Sequence, residues 1–99
     1  MPGTRLDYSV RARRDIEALE RFHSDIAGHV VADRIVDAIQ SQAEKIVALG
    51  LMFRPGIRRG TRECVMTSYP YTLIYRVGPR GTEIARIIHQ RAEYFQRKR

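Results

Sequence analysis

Two groups of side chains in this 99-residue chain could act on an anion. The run Arg58-Arg59-Gly60-Thr61-Arg62 places guanidinium groups on both sides of a glycine, where arginine forks and free backbone amides can both reach a phosphate or a carboxylate. Towards the C-terminus, His89, Arg91 and Tyr94 supply a base, a cation and a phenol that could converge on a phosphodiester. Each group also has a plainer reading, as a solvated basic loop and as ordinary packed or surface side chains. Asp15, Glu17 and Glu20 share one stretch, and a salt-bridged exposed helix face explains them better than acid–base chemistry does. His23 and His29 lack metal-ligand spacing and read as helix-surface residues, while Cys64, inside an apolar run, reads as a small buried hydrophobe. There is no glycine-rich phosphate loop, nucleophile elbow or carboxylate pair, so neither a cofactor nor a metal is expected.

The charge is unevenly placed. From Arg54 to Arg99 there are 11 Lys and Arg against 3 Asp and Glu, whereas Met1 to Phe53 holds 7 against 8. A basic half of this kind expects an acidic partner, either a protein segment or a nucleic acid. One cysteine excludes an internal disulfide framework and fits a reducing cytoplasm. No apolar run approaches the roughly 18 to 20 residues of a membrane span, and the start Met1-Pro2-Gly3-Thr4 has no apolar signal core. With no repeat and no linker, residues 1–99 read as a single domain.

The elements that must carry these residues follow from periodicity. Leu6, Tyr8 and Val10 alternate with polar residues and predict a strand over Arg5–Val10. Ser9 can cap a helix in which Ala12, Ile16, Leu19 and Phe22 or His23 recur at helical spacing. Ser24–Gly28 interrupts that pattern, and Val31, Ile35, Ile39, Ala43 and Ile46 then mark a second helix stopped by Gly50, so an antiparallel hairpin is expected. Arg54-Pro55-Gly56 breaks the chain and opens a loop to Gly60. Arg62–Thr67, Tyr71–Val77 and Thr82–His89, separated by short turns, spell an antiparallel meander. In its middle strand Tyr71, Leu73, Tyr75 and Val77 share one face and Thr72, Ile74 and Arg76 the other, with helices covering one side and arginines collected on an exposed side. Gln90–Arg99 is left as a short helix seated by Tyr94 and Phe95 or as a basic tail. The fold class is α+β: a short N-terminal strand and a helix hairpin packed on a three-stranded antiparallel meander.

Taken in order, these elements, with Gly60-Thr61-Arg62-Glu63, then Ser68-Tyr69-Pro70-Tyr71-Thr72-Leu73-Ile74-Tyr75-Arg76-Val77 and Ile87-Ile88-His89-Gln90-Arg91, resemble the RelE/ParE superfamily of bacterial toxins over nearly the whole chain. These are signatures of a fold family rather than of a reaction. The resemblance implies one of two activities. RelE-like members cleave messenger RNA on the ribosome with cations on the sheet and a C-terminal arginine and tyrosine; ParE-like members, also known as plasmid-stabilisation proteins, poison DNA gyrase. Where the RelE pattern has two lysines this chain has Glu63 and Val65, and Thr72 stands at an arginine position, leaving Arg91 as the direct match. A carboxylate there opposes stabilisation of a pentacoordinate phosphate. The Tyr-Pro-Tyr and Ile-His-Gln elements look like the ParE branch.

The expectation is therefore a type II toxin of the bacterial cytoplasm that binds gyrase through Arg58, Arg59, Arg62, His89, Arg91 and Tyr94. An acidic antitoxin C-terminal segment would fold onto Ile16, Leu19, Ile35 and Ile39. The alternative is a ribosome-dependent messenger RNA endoribonuclease using Arg62, Arg76, Arg91 and Tyr94.

Overall fold

The computed structural model describes residues 3–96; Met1, Pro2 and the last three residues of the basic tail, Arg97-Lys98-Arg99, lie outside the described residues. The first strand, β1, spans Arg5–Tyr8 with Leu6 and Tyr8 packed towards the core. Ser9 ends it. Its side chain accepts a hydrogen bond from the Ala12 N–H at 3.0 Å, which starts helix α1 at Val10. Val10 is thus the first helical residue, 66% exposed, and not the last inward position of a strand.

Helix α1 runs Val10–Ala27, straight through the segment in which an interruption is expected. The whole break is Gly28, at φ 89°, and helix α2 follows at once over His29–Leu49. A left-handed backbone is inexpensive for glycine, so one residue reverses the chain and the polar Ser24-Asp25 pair need not unwind α1. Helix α2 buries Ala32, Ile35, Ile39, Ala43 and Ile46 along one stripe and ends at Gly50, whose N–H bonds the Ile46 carbonyl. A single 3-10 turn, Gly50–Met52, then leads to the sheet.

The sheet has five strands in the order β1-β5-β4-β3-β2, where β2 is Arg54–Pro55, β3 Arg62–Val65, β4 Tyr71–Gly78 and β5 Gly81–His89. The meander of β3, β4 and β5 is antiparallel, and β1 lies parallel to β5 at one edge. Strand β2 falls where a loop is expected. It is two residues long, pairs Arg54 with Glu63 and Pro55 with Arg62, and a proline is tolerated because the position is a sheet edge. A short edge carrying Arg and Pro also resists pairing with other chains.

The hairpin packs on one face of the sheet. Ile39, Ile46, Leu73, Tyr75 and Ile84 are completely inaccessible there, and each large aliphatic side chain withdrawn from water contributes about 2 kcal/mol. The Tyr75 hydroxyl donates to the Gly50 carbonyl oxygen at 2.6 Å, tying β4 to the end of α2. A bulge between Ile74 and Tyr75 inserts Ala85 into β5, since Ile74 pairs with Arg86 but Tyr75 with Ile84. The extra residue lets Ile84 and Ile87, three apart, both face the helices.

Strand β1 stops opposite Ile84, and α1 closes the rest of that edge. The Ser9 N–H bonds the Ile84 carbonyl oxygen, the Ser9 hydroxyl donates to Ala85 O at 2.9 Å, and Asp15 Oδ2 accepts the Ile87 N–H at 2.9 Å. The same carboxylate takes the Arg86 guanidinium through Nε at 2.9 Å and Nη2 at 3.3 Å. Asp15 is therefore an edge clamp with 13% of its side chain exposed, not a member of an exposed charged face. A helix surface turned towards an open strand edge needs an acceptor, and a carboxylate supplies two.

Candidate functional site

The second face of the sheet is not an open plane of arginines. Its Thr72, Ile74 and Ile88 are each at most 5% exposed, and the segment after β5 and the loop between β2 and β3 reach over it. Glu63 holds that loop. Its buried carboxylate receives Arg54 through Nε at 3.0 Å and Nη2 at 2.9 Å, and the Ile57 N–H at 3.2 Å. The Gly56 N–H bonds Thr61 O, and the Thr61 hydroxyl donates to Arg58 O, which closes the loop on itself. Arg58 is thereby carried to the C-terminal segment, its guanidinium carbon 5.4 Å from the ring centre of Tyr94. Tyr94 and Phe95, in the short helix α3 (Glu93–Gln96), stack edge to face.

Between these parts lies a cavity of about 320 Å³ whose wall includes Arg11, Arg58, Arg76 and Arg86, the Tyr94 ring, and a floor of Ile74 and Ala85. Among the described residues, no carboxylate lines it. Arg86 and Arg11 share Asp15 outside the cavity, Arg11 at 3.6 Å, and Arg76 sits a loose 3.8 Å from the half-exposed Glu83. Among the described residues, the Tyr94 hydroxyl is the buried side-chain oxygen that has no hydrogen-bond partner.

A second concavity, about 370 Å³, lies on the other side of the β5 edge, between the Ala18-Leu19-Phe22 face of α1 and Tyr71, Ile87 and His89. His23 Nε2 and the Tyr71 hydroxyl are hydrogen-bonded at 2.8 Å, and His89 stacks edge to face on Tyr71. Burial pushes the Tyr71 phenol above its ordinary pKa, so it stays protonated at neutral pH. His23 is consequently part of a half-buried aromatic cluster rather than a surface residue, while His29 is exposed as expected. Beyond this groove, at the closed end of the hairpin, Phe22, Ile26 and Val30 are each more than half exposed and Val31 is 37% exposed.

The sites expected from sequence are only partly assembled. Arg58, Arg76 and Tyr94 meet in the cationic cavity. Arg62 does not, because it pairs with Tyr75 on the helix-facing side of the sheet and donates through Nη1 to Phe53 O at 2.8 Å. His89 lines the groove, not the cavity, so it does not converge with Tyr94. Its Nδ1 accepts the Arg91 N–H, and Arg91 and Arg59, both exposed, line neither concavity. Leu19, Ile35 and Ile39, expected to receive an antitoxin, are at most 7% exposed, and Ile16 packs against the same core. The helical period that selected them selects the stripe that faces the sheet, so Ile35 and Ile39 are enclosed while Leu19 at the groove and the half-buried Ile16 keep an edge towards solvent. Arg11, Arg86 and Asp15 were missed as a cluster, since only the bulged end of β5 against α1 brings them together.

No helix among the described residues is long and apolar enough to cross a membrane. A profile of the family described as "ParE toxin of type II toxin-antitoxin system, parDE" matches residues 6–94. A curated protein of Sinorhizobium fredii named "Putative toxin Y4kP" is 34% identical over 100 residues, covering 97% of this chain and 98% of its own. A solved structure, "Chromosomal ParDE TA system from P. aeruginosa", superposes with a TM-score of 0.77 at 24% identity, over 85% of this chain and 92% of that one, which establishes the fold. With the strand, hairpin and meander in that arrangement and the profile spanning all of them, the chain belongs to the ParE family of toxins of type II toxin–antitoxin systems.

Proposed function

We propose that this toxin acts by binding DNA gyrase and that a cognate antitoxin neutralises it by covering the groove and the apolar end of the hairpin. The observation that carries the reading is the separation of the cations a nuclease would need: Arg62 lies on one face of the sheet and Arg76 and Tyr94 on the other, with the histidines apart from both. The cavity gathers arginine side chains and one phenol over an apolar floor, a set suited to holding an anion. Glu63, at a position where RelE-like members carry a lysine, is spent on Arg54 and the loop.

The antitoxin surface follows from exposure. Phe22, Ile26, Val30 and Val31 offer apolar anchors, and the basic second half of the chain attracts an acidic segment. A supercoiling assay with purified toxin and gyrase tests the first part: unchanged supercoiling and no cleaved complex at excess toxin would remove it. For the second part, Phe22→Asp with Ile26→Asp should abolish capture by the antitoxin while far-UV circular dichroism stays native. Undiminished capture by that double variant would place the antitoxin elsewhere. Arg76 and Tyr94 sharing one cavity keep a single rival in view, ribosome-dependent cleavage of messenger RNA. Codon-phased messenger RNA ends on induction that vanish in Tyr94→Phe would establish it instead.

A further inference from the structure

We infer that the cavity lined by Arg11, Arg58, Arg76, Arg86 and Tyr94 is a binding site for a phosphate oxyanion, a property independent of how the toxin meets gyrase or an antitoxin.

Charge points to this first. Four arginines line the cavity, and the two carboxylates paired with any of them among the described residues, Asp15 and Glu83, are not part of its wall. That leaves two positive charges directed into one concave space, where low-dielectric walls concentrate the field. Phosphate near neutral pH carries about −1.5 to −2, which matches that balance better than a carboxylate's single charge. The four cations are not brought together by attraction to one another. Each is held by something else: Arg86 by Asp15, Arg11 by its place in the first turn of α1, Arg58 by the Glu63-clamped loop, and Arg76 by its position on β4. A site assembled by the fold before a ligand arrives loses little on binding.

The donors available are also specific. The Ser9 hydroxyl proton is committed to Ala85 O and that of Thr61 to Arg58 O, so neither can serve an anion. Arg58 has no carboxylate partner among the described residues, only the face of Tyr94. The Tyr94 hydroxyl is buried without a hydrogen-bond partner, and the Tyr94 side chain forms part of the same wall. A buried O–H without a partner is rare in folded proteins, and a small turn of this side chain would give it an oxyanion in the cavity as its acceptor. The Ile74 and Ala85 floor with the Tyr94 ring leaves room for an apolar or aromatic group beside the phosphate.

The experiment titrates the purified full-length chain with inorganic phosphate, adenosine monophosphate, adenosine and acetate, at constant ionic strength, by calorimetry and by thermal melting. Phosphate and the nucleotide should bind and raise the melting temperature, and adenosine and acetate should not. Tighter binding of the nucleotide identifies a phosphate ester as the occupant, and equal binding identifies the free ion. Arg58→Gln and Arg76→Gln should each weaken binding about tenfold, the loss of one charge-assisted hydrogen bond. Tyr94→Phe should weaken it while leaving the melting temperature of the unliganded chain equal or higher, because its hydroxyl has no partner to lose. Arg13→Gln, on the exposed side of α1, should change nothing. The inference is overturned if phosphate on the order of 10 mM gives no binding, if acetate or adenosine binds as well, or if the Tyr94→Phe chain binds phosphate with undiminished affinity.

Discussion

Replacing Asp15 by alanine tests the reading of how α1 is fastened to the sheet. The carboxylate is 13% exposed and accepts three hydrogen bonds, two from Arg86 and one from the Ile87 N–H. Its removal strands an N–H at the sheet edge, which costs about 1–3 kcal/mol when no water replaces the partner. It also leaves Arg86 without its counter-charge. A fully buried orphan would cost about 3–5 kcal/mol, but Arg86 keeps 29% of its side chain in water and recovers part of that. The expected loss is therefore about 3 kcal/mol, a large share of the roughly 5–15 kcal/mol that holds a domain of this size. With a urea slope near 1.5 kcal/mol per molar, the midpoint should fall by about 2 M. Asp15→Asn, which keeps one acceptor, should lose about half as much. In a double-mutant cycle with Arg86→Met, the coupling should be about 1–2 kcal/mol, measured by urea unfolding followed by far-UV circular dichroism. A loss below about 0.5 kcal/mol for Asp15→Ala, the level of an ordinary surface substitution, would refute the clamp. Strict additivity in the cycle would refute the pairing with Arg86.

Three further outcomes follow from single contacts. Tyr75→Phe deletes the hydroxyl that bonds Gly50 O at 2.6 Å and should cost about 1–1.5 kcal/mol, read as a fall in melting temperature of about 5–10 °C. Gly81, at φ 147°, has the Arg5 backbone where a Cβ would stand, so Gly81→Ala should cost about 2–4 kcal/mol and release β1, whereas Gly78→Ala, with open space around it, should stay within about 0.5 kcal/mol. Burial raises the phenols of Tyr8, Tyr71 and Tyr75 above their ordinary value. A raised folded value means that the native state holds the proton more tightly. The phenols' stabilisation is complete below pH about 10 and is lost as pH climbs through their folded values; the Cys64 thiol, also raised by burial, loses its share from its ordinary value of 9.0 upward, so urea midpoints should begin to fall there and fall further above pH about 10. Urea midpoints that stay unchanged from about pH 8 to about pH 11 would contradict this.

Local pattern was enough for the elements and their order. The stripe Ile35, Ile39, Ala43 and Ile46 identified α2 and its buried side, the alternation of Tyr71, Leu73 and Tyr75 grouped these residues on one face of β4 without saying that the helices cover it, and Ser9 was legible as a cap because a short oxygen before a helical period has one economical use. The family, too, was legible from these pieces. What residue spacing could not supply were events that depend on partners distant in sequence. A two-residue strand at Arg54–Pro55 exists only because β3 offers it a ladder, and the bulge at Ala85 shifts the phase of β5 in a way no period-two count contains. Asp15 looked like one more exposed acid until the end of β1 left Ile87 and Arg86 beside it. Arg62 and Arg76 are both basic strand residues, yet opposite sides of one sheet keep them apart, while Arg11, 65 positions before Arg76, lines the same cavity. Composition determined that the surplus positive charge lies in the second half of the chain; only the crossing of the chain decided which arginines share a space, because electrostatic work depends on distance and not on order along the backbone.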